Sequence, residues 1–387
     1  MKQRLLICAD WFDPGFRAGG PIRSCVNLVE LLGDVSNLAV ITSDRDLGVI
    51  QPYANPPSDR WWNWRGKARV RYCGSACRRM IQFVVMMKRW QPEAIYLNSM
   101  FSVAGTLWPL VWVFLTRSHV RVVLAPRGML KPSALAQKAW KKRPILIVLR
   151  SIGLVKNITF HATSAEEVAE VRAAFGAVSV VHINNVPCVP VSQLLVYAKS
   201  PDLLRLCFLG RVHPIKNLLW LLDCMKAIGI RCHLVVIGPI EDPRYHQQCL
   251  RSVEQLPSGV TVEFVGAKTE AEVRGLLLTS DAMILPTLGE NFGHAIFESL
   301  AVGTPVIISD QTIWRNLLQQ QAGWDLPLEP AAFVDAICQL ALMSDFEYQG
   351  LRQNALALAH RFLDANNFLV DYQRMFWGDS ARVSTCE

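Results

Sequence analysis

Glu290 and Glu298 stand with seven residues between them in the segment TLGENFGHAIFESLAVGTPVIIS (287–309), directly after the apolar run DAMILP. That run reads as a buried strand, and the residues after it as a helix over 291–302. If Glu290 lies at the helix start, Glu298 is two turns in, roughly 12 Å along the axis. Carboxylates so placed are too far apart to act as one acid–base pair. They can reach opposite ends of one elongated ligand and accept hydrogen bonds from the vicinal hydroxyls of a ribose or hexose. The amides of Asn291, Phe292 and Gly293 would face an anion at the helix N-terminus. Gly293 allows close backbone approach, and His294 is the histidine best placed for a ligand contact. The plain alternative is a helix cap at Glu290 and a solvated Glu298.

Three other loops that follow strands could carry chemistry. In LGRVHPIKNLLWLL (209–222), Arg211 and Lys216 flank a turn that opens a helix. Two cations there could hold a diphosphate and stabilise it as it leaves. In DPGFRAGG (13–20), Gly19 and Gly20 permit a tight turn close to a phosphate or an acceptor. This is not G-x-G-x-x-G, so dinucleotide binding is a weak reading. In LAPRGMLKPSALAQKAWKKRP (124–144), Arg127 and Gly128 follow a strand. Lys131, Lys138, Lys141, Lys142 and Arg143 then accompany Trp140 and an apolar ILIVL. That mixture fits an anionic membrane surface or a polyprenyl diphosphate. Each loop also has an ordinary reading, as a solvated turn or helix end.

Several sharper readings fail. Asp44-Arg45-Asp46 matches the metal-nucleotide pattern D-x-D, but so short a pattern is common by chance and stands too early here. There is no phosphate-binding G-x4-G-K-[ST], no G-x-S-x-G and no H-E-x-x-H. His161 and His213 read as structural, and Trp61, Trp62 and Trp64 as packing residues.

The elements that must position these loops alternate strand with helix twice over. Strands are expected at 4–10, 37–43, 69–72, 94–98, 120–125, 159–163 and 180–184, and again at 203–210, 232–238, 261–266, 281–286 and 305–309. Helices fit between them, at 21–32, 215–227, 244–256, 270–279, 291–302 and 312–320 among others. The aromatic stretch 52–64 reads as a loop. Such alternation predicts α/β architecture with two Rossmann-like, doubly wound parallel sheets facing across a cleft, with ligands at the carboxyl ends of the strands. The expected division is 1–197, a proline-bearing linker over 187–202, a second domain to 365, and a last helix and frayed tail over 366–387.

Composition agrees with a folded protein of this size. The chain has 387 residues, 51% hydrophobic and 19% charged, which excludes intrinsic disorder. Residues 1–197 hold 25 Lys/Arg against 11 Asp/Glu, a net of +14, whereas 198–387 hold 15 against 21, a net of −6. A basic half suits phosphates or an anionic membrane. No nucleic-acid-binding module accompanies the charge. The 11 cysteines are scattered without C-x2-C and read as free thiols of a reducing cytosol. No signal peptide is expected. The apolar run 101–116 is shorter than a membrane span and reads as a buried helix.

At GENFGHAIFESLAVGTPVI the sequence resembles the retaining nucleotide-sugar glycosyltransferases of glycosyltransferase family 4, with their GT-B architecture. E-x7-E at Glu290 and Glu298 is that family's signature. LGRVHPIKN looks like its donor-diphosphate loop, and Gly19-Gly20 is similar to its first-domain glycine loop. PRGML and the layout look most like bacterial members that build O-antigen, capsule or other exopolysaccharide. The resemblance implies that Arg211 and Lys216 bind the donor diphosphate. It implies that Glu290 contacts the transferred sugar beside the Asn291–Gly293 amides, and that Glu298 holds the ribose. It implies no catalytic metal and no cofactor, a UDP- or GDP-sugar as donor, and a polyprenyl-diphosphate-linked or other glycan as acceptor. It also implies a cytoplasmic protein, peripheral on the inner membrane, whose last helix crosses back to the first domain. Many members carry a His where this chain reads Ala125-Pro126-Arg127-Gly128, so any role of that His is absent or passes to Arg127. Two other classes fit the same architecture: a nucleotide-sugar epimerase and a non-catalytic nucleotide-sugar-binding subunit.

Overall fold

The computed structural model describes residues 2–136, 139–191, 193–194 and 197–378. Lys138, residues 192, 195 and 196 of the expected linker, and 379–387 of the expected tail lie outside the described residues. The chain divides into two units, Met1–Val186 with Asn367–Glu387, and Pro187–Asn366.

The first unit holds β1 (Arg4–Cys8), β2 (Asn37–Ser43), β3 (Trp61–Trp64), β4 (Ala68–Cys73), β5 (Ala94–Leu97), β6 (Arg121–Leu124), β7 (Thr159–Ala162) and β8 (Ser179–His182). They form one sheet in the order β3-β4-β2-β1-β5-β6-β7-β8. All neighbours are parallel except β3 with β4. The inner strands are apolar on both faces because helices cover both, which is why they read as continuous runs such as AIYL and RVVL. The first helix, Gly20–Leu32, buries Ile22, Cys25, Val26, Val29 and Leu32, one helical stripe.

The second unit holds β9 (Leu204–Leu209), β10 (Cys232–Ile237), β11 (Val260–Gly266), β12 (Ala282–Leu285), β13 (Val306–Ser309) and β14 (Gly323–Leu326). Its all-parallel sheet runs β11-β10-β9-β12-β13-β14. In both sheets the first strand of the unit has a neighbour from each direction of winding: β1 lies between β2 and β5, and β9 between β10 and β12. Loops that leave the carboxyl ends there diverge to the two faces and open a binding crevice.

Several local expectations give way to the structure. The second unit begins at Pro187, ahead of the expected boundary at 197/198. The segment read as a linker is tied down instead. Val191 N–H donates to Ala301 O at 2.9 Å, and the Tyr197 hydroxyl donates to Asp281 at 3.1 Å. Lys199 donates to the carbonyls of Leu340, Ala341 and Met343, at the end of the helix Pro330–Leu342. The tryptophans read as a loop form β3, an antiparallel edge strand on β4. The helix expected over 215–227 is a 3-10 turn, Pro214–Lys216, then Asn217 in the left-handed region (φ 62°), then a helix Leu218–Met225. No helix occupies 312–320. Asn316 there has φ 58°, and the Asp325 carboxylate takes the amides of Asn316 and Leu317 at 2.9 and 2.8 Å. The apolar run 101–116 is a π-helical turn, Val103–Leu107, followed by a helix Trp108–Thr116 that leaves Phe114 and Leu115 exposed rather than buried. No helix among the described residues is long and apolar enough to cross a membrane. The described cysteines are all free thiols.

The last helix, Phe368–Trp377, closes a buried polar chain within the first unit. Arg127 donates to the Tyr96 hydroxyl at 2.8 Å, which meets His161 Nδ1 at 2.8 Å, while His161 Nε2 lies 2.9 Å from Ile183 O. The Tyr372 ring packs edge-on against His161, and its hydroxyl donates to Asn184 O at 3.2 Å. Burial first, and the Arg127 charge second, push His161 down to about 3. An unfolded histidine titrates near 6.5. The unfolded chain therefore binds this proton first, and the stability supplied by neutral His161 is complete above about 6.5 and lost as pH falls toward 3. Urea unfolding should lose up to about 1.4 kcal/mol per pH unit between pH 6 and 5 through this group. His161→Gln should flatten that slope, and an unchanged slope would contradict the assignment.

Candidate functional site

The site of the second unit is built where its strand order reverses. The loop after β9 carries Arg211 and Lys216, the loop after β12 carries Glu290, and the two are stitched together by backbone. Leu288 N–H donates to Ile215 O at 2.8 Å, and the Thr287 hydroxyl donates to the same carbonyl at 3.1 Å. His213 accepts from Ile215 N–H at 3.2 Å, so this histidine caps the 3-10 turn. The turn ends where Asn217 goes left-handed, and Lys216 points to the carboxyl edge of the sheet. There its amine forms an ion pair with Glu290. Both side chains are largely shielded, at 15% and 14% exposure. Partial burial strengthens such a pair relative to a solvated one.

Arg211 is part-exposed and already has a partner. It pairs with Glu241, in the loop after β10. Nothing in sequence reasoning marks Glu241, because the pairing runs across neighbouring strands. The loops approach closely because Gly238 has no side chain: a Cβ there would lie 2.1 Å from Gly210 O.

The segment around E-x7-E is only partly as expected. The helix is His294–Leu300, with Gly293 as its left-handed N-cap at φ 78°. Glu290 and Asn291 therefore sit in a loop ahead of the helix, and Glu290 N–H is spent on Gln311 O at 3.1 Å. Glu298 lies half-buried on the helix itself. Phe292, whose backbone N–H is the group expected to face a ligand, has its side chain in the core. It is 2% exposed and packs against Phe297, Trp314 and Phe362 at centroid distances of 5.6–6.1 Å. Its carbonyl accepts from Trp314 Nε1 at 2.7 Å. It anchors the loop from below. The His294 ring lies edge-on to it at 4.9 Å.

In the first unit, Gly19 is the positive-φ cap (65°) of the helix that Gly20 begins, and a Cβ on Gly19 would meet nothing within 4 Å. Conformation, not space, is what requires glycine there. Asp46 holds this loop by accepting from Phe16 and Arg17 N–H at 2.8 and 3.0 Å. Asp44 bonds Arg45 and Ser58. The D-x-D carboxylates thus serve local structure. Among the described residues, no group of three or more His, Cys, Asp or Glu is placed for a metal. Arg127 is left-handed (φ 57°) and commits all three nitrogens, to Asn98, Asn185 and Tyr96. Buried Glu167 accepts from Gly128 N–H at 2.6 Å and supports the same turn. Asp10, just beyond β1, escapes the sequence reading. Its carboxylate takes Arg79 at 2.8 Å and the Ser102 hydroxyl at 2.6 Å, and Ser102 also caps the π-helical turn.

Residues 204–342 match the family described as Glycosyl transferases group 1. Over 143 residues the chain is 29% identical to a GDP-mannose-dependent alpha-(1-6)-phosphatidylinositol dimannoside mannosyltransferase of Mycobacterium tuberculosis, covering 36% of this chain and 35% of that protein. The chain spans about a third of the length of the curated relatives it matches. Among solved structures, the sucrose-phosphate synthase of Thermosynechococcus elongatus superposes with a TM-score of 0.75 at 17% identity, over 96% of this chain and 97% of that one. Anabaena HepE in complex with UDP-glucose gives 0.69 at 15% identity, over 95% and 98%. Both likenesses show the fold, two Rossmann-like α/β domains of the GT-B type.

If Phe292 is a core residue, Phe292→Ala should cost about 3–5 kcal/mol of stability in denaturant unfolding. A variant of unchanged stability that loses only ligand binding would contradict that packing role.

Proposed function

We propose that this chain is a retaining glycosyltransferase that moves a hexose from a UDP- or GDP-sugar to a glycan acceptor in cell-surface polysaccharide biosynthesis, with a polyprenyl-diphosphate-linked glycan as the favoured acceptor. The observation that carries the reading is the shielded Lys216–Glu290 pair at the reversal of the second sheet, with Arg211 on the same loop as Lys216. It lies inside the segment that matches the group 1 glycosyltransferases. In this reading the second unit binds the donor and the first the acceptor. Arg211 and Lys216 neutralise the departing nucleoside diphosphate. Glu290 contacts the transferred sugar, and Glu298 the ribose hydroxyls. The carbon–oxygen bond to the diphosphate breaks, the acceptor hydroxyl attacks the same face of the sugar, and its proton passes to the leaving diphosphate. The two cations supply the charge stabilisation that a metal ion supplies in other transferases, so the reaction is proposed to be metal-independent. Support for a lipid-linked acceptor comes from the mycobacterial relative, whose name gives it a phosphatidylinositol dimannoside substrate.

Removing one group that stabilises developing charge typically costs about 10²–10³ in turnover. Lys216→Ala and Arg211→Ala should each show that loss in a donor-consumption assay with EDTA present, while melting near the wild-type temperature. Wild-type rates in either variant, dependence on added Mg²⁺, or conversion of donor to an epimer without acceptor would overturn the reading.

The same proposal places the protein on the cytoplasmic face of the inner membrane. The helix Ala139–Ser151 exposes Trp140, at 74%, together with Ile147 and Val148, and Ile152 just beyond it. Lys141 lies 4.8 Å from the Trp140 ring, and Arg143 and Arg150 are exposed on the same helix. An aromatic and aliphatic face fringed by cations suits an anionic interface. Sedimentation with phosphatidylcholine vesicles should rise when phosphatidylglycerol is included, and fall for Trp140→Ala combined with Lys141→Glu and Arg143→Glu. Equal sedimentation of variant and wild type would contradict docking by this helix.

A further inference from the structure

The donor-site reading gives Arg211 and Lys216 the same anionic ligand, yet the structure gives each cation a carboxylate of its own. Lys216 has Glu290, from the loop after β12, and Arg211 has Glu241, from the loop after β10. The four side chains sum to no net charge. We infer that Glu241 is a positioning residue that exchanges with the diphosphate for Arg211, and that this exchange speeds release of the nucleoside diphosphate product. The inference rests on the donor-site reading above.

Backbone geometry fixes Glu241 where it stands. Its N–H and that of Asp242 both donate to Val212 O at 3.3 Å, and Val212 N–H donates back to Pro239 O at 2.9 Å. Val212 and Ile240 form a parallel bridge. The carboxylate is thus carried on backbone directly joined to the residue after Arg211, and it remains within reach when the guanidinium turns to a ligand. The pair is one-third exposed on both sides, at 34% each, so a soluble anion can reach it. Among the described residues no other acid pairs with Arg211.

The chemistry of the two ligand states gives the pair its direction. A guanidinium binds phosphate and carboxylate with the same two-pronged geometry. In the sugar donor, the terminal phosphate is esterified and carries one negative charge. After transfer that oxygen is freed and ionises further, so the product holds the cations more tightly than the substrate does. A tethered carboxylate that takes Arg211 back lowers the affinity for both, and offsets the tighter hold on the product. Glu290 cannot do this alone, because in the donor-site reading it is engaged with the sugar.

Titration calorimetry with UDP and GDP tests the inference on four forms: wild type, Glu241→Gln, Arg211→Ala and the double variant. The glutamine keeps the shape and removes the charge. Glu241→Gln should bind the preferred nucleotide about two- to fivefold more tightly, the range of a part-exposed ion pair. The gain should vanish in the Arg211→Ala background, because coupled residues are non-additive. Product inhibition by the same nucleotide should strengthen by a similar factor in Glu241→Gln. A gain of equal size without Arg211 would show that Glu241 acts only as a nearby charge, and no gain would show that it does not compete; either overturns the inference while leaving the donor site standing. Failure of the wild type to bind either nucleotide overturns the donor-site reading, and this inference with it.

Discussion

The reversal of strand order at β9 is the constraint on which the rest of the second unit depends. Because β9 lies between β10 and β12, three loops that are remote in sequence leave the sheet side by side. Arg211 and Glu241 are 30 residues apart, and Lys216 and Glu290 are 74 apart, yet each pair is in contact. No single helix or hairpin could gather two cations and two acids in this way. The cost of the gathering is close backbone approach, and it falls on glycine: the chain passes Gly210 at Gly238, where any Cβ would meet a carbonyl. Phe292 completes the arrangement from below. An aromatic side chain sunk among Phe297, Trp314 and Phe362 holds the loop that presents Glu290, so the acid rests on a rigid base.

The first unit repeats the device around β1 with different contents. Asp10 and the Gly19 turn follow β1, Asn98 and the π-helical turn follow β5, and Arg127 follows β6. Here the cation is locked rather than poised. Arg127 is bound to Asn98, Asn185 and Tyr96, Tyr96 links it to a buried histidine that stays neutral, and the last helix shuts over that chain with Tyr372. A cation so held has no freedom to follow a ligand, but it fixes the loop that carries it. Asp10 is different: Arg79 and Ser102 orient its carboxylate just beyond β1, at the carboxyl edge of the sheet. π-helical turns such as the one Ser102 caps are frequent at functional sites.

How much of this can be read from the chain follows from what each signal depends on. Buried parallel strands announce themselves as apolar runs, so nearly every strand of both sheets is legible. Strand β3 is not, because WWNW between prolines and charges has the composition of a loop and becomes a strand only by pairing with β4. Residues 312–320 have helical composition, but Asp325, from a strand that sequence reading passes over, takes the amides a helix would need. E-x7-E marks the loop that pairs with Lys216 but misplaces the helix start, since Gly293 in a left-handed conformation delays it to His294. The core position of the Phe292 side chain is not legible either, because the reading of that loop rests on its backbone amides and not on what its side chains touch. Glu241 is invisible altogether, because a partner supplied by an adjacent strand leaves no spacing to detect.

The charge asymmetry of the chain also has a different meaning once the pairs are placed. The proposed donor is an anion, yet the half that carries its proposed site is net −6, and the half without it is net +14. The net charge of that half therefore gives a nucleotide sugar no attraction of its own. Screening limits what net charge can do, since interactions between exposed charges fade over about 8–10 Å in physiological salt. Inside that distance only the local set matters, and there each cation is balanced by an acid. A site that is neutral before binding loses little to self-repulsion and holds its cations in place. On the proposed donor reading it would also avoid trapping the most highly charged species it meets, which is the product and not the substrate. The excess of positive charge belongs instead to the unit with the exposed Trp140 helix, where an anionic surface, unlike a small anion, can engage many cations at once.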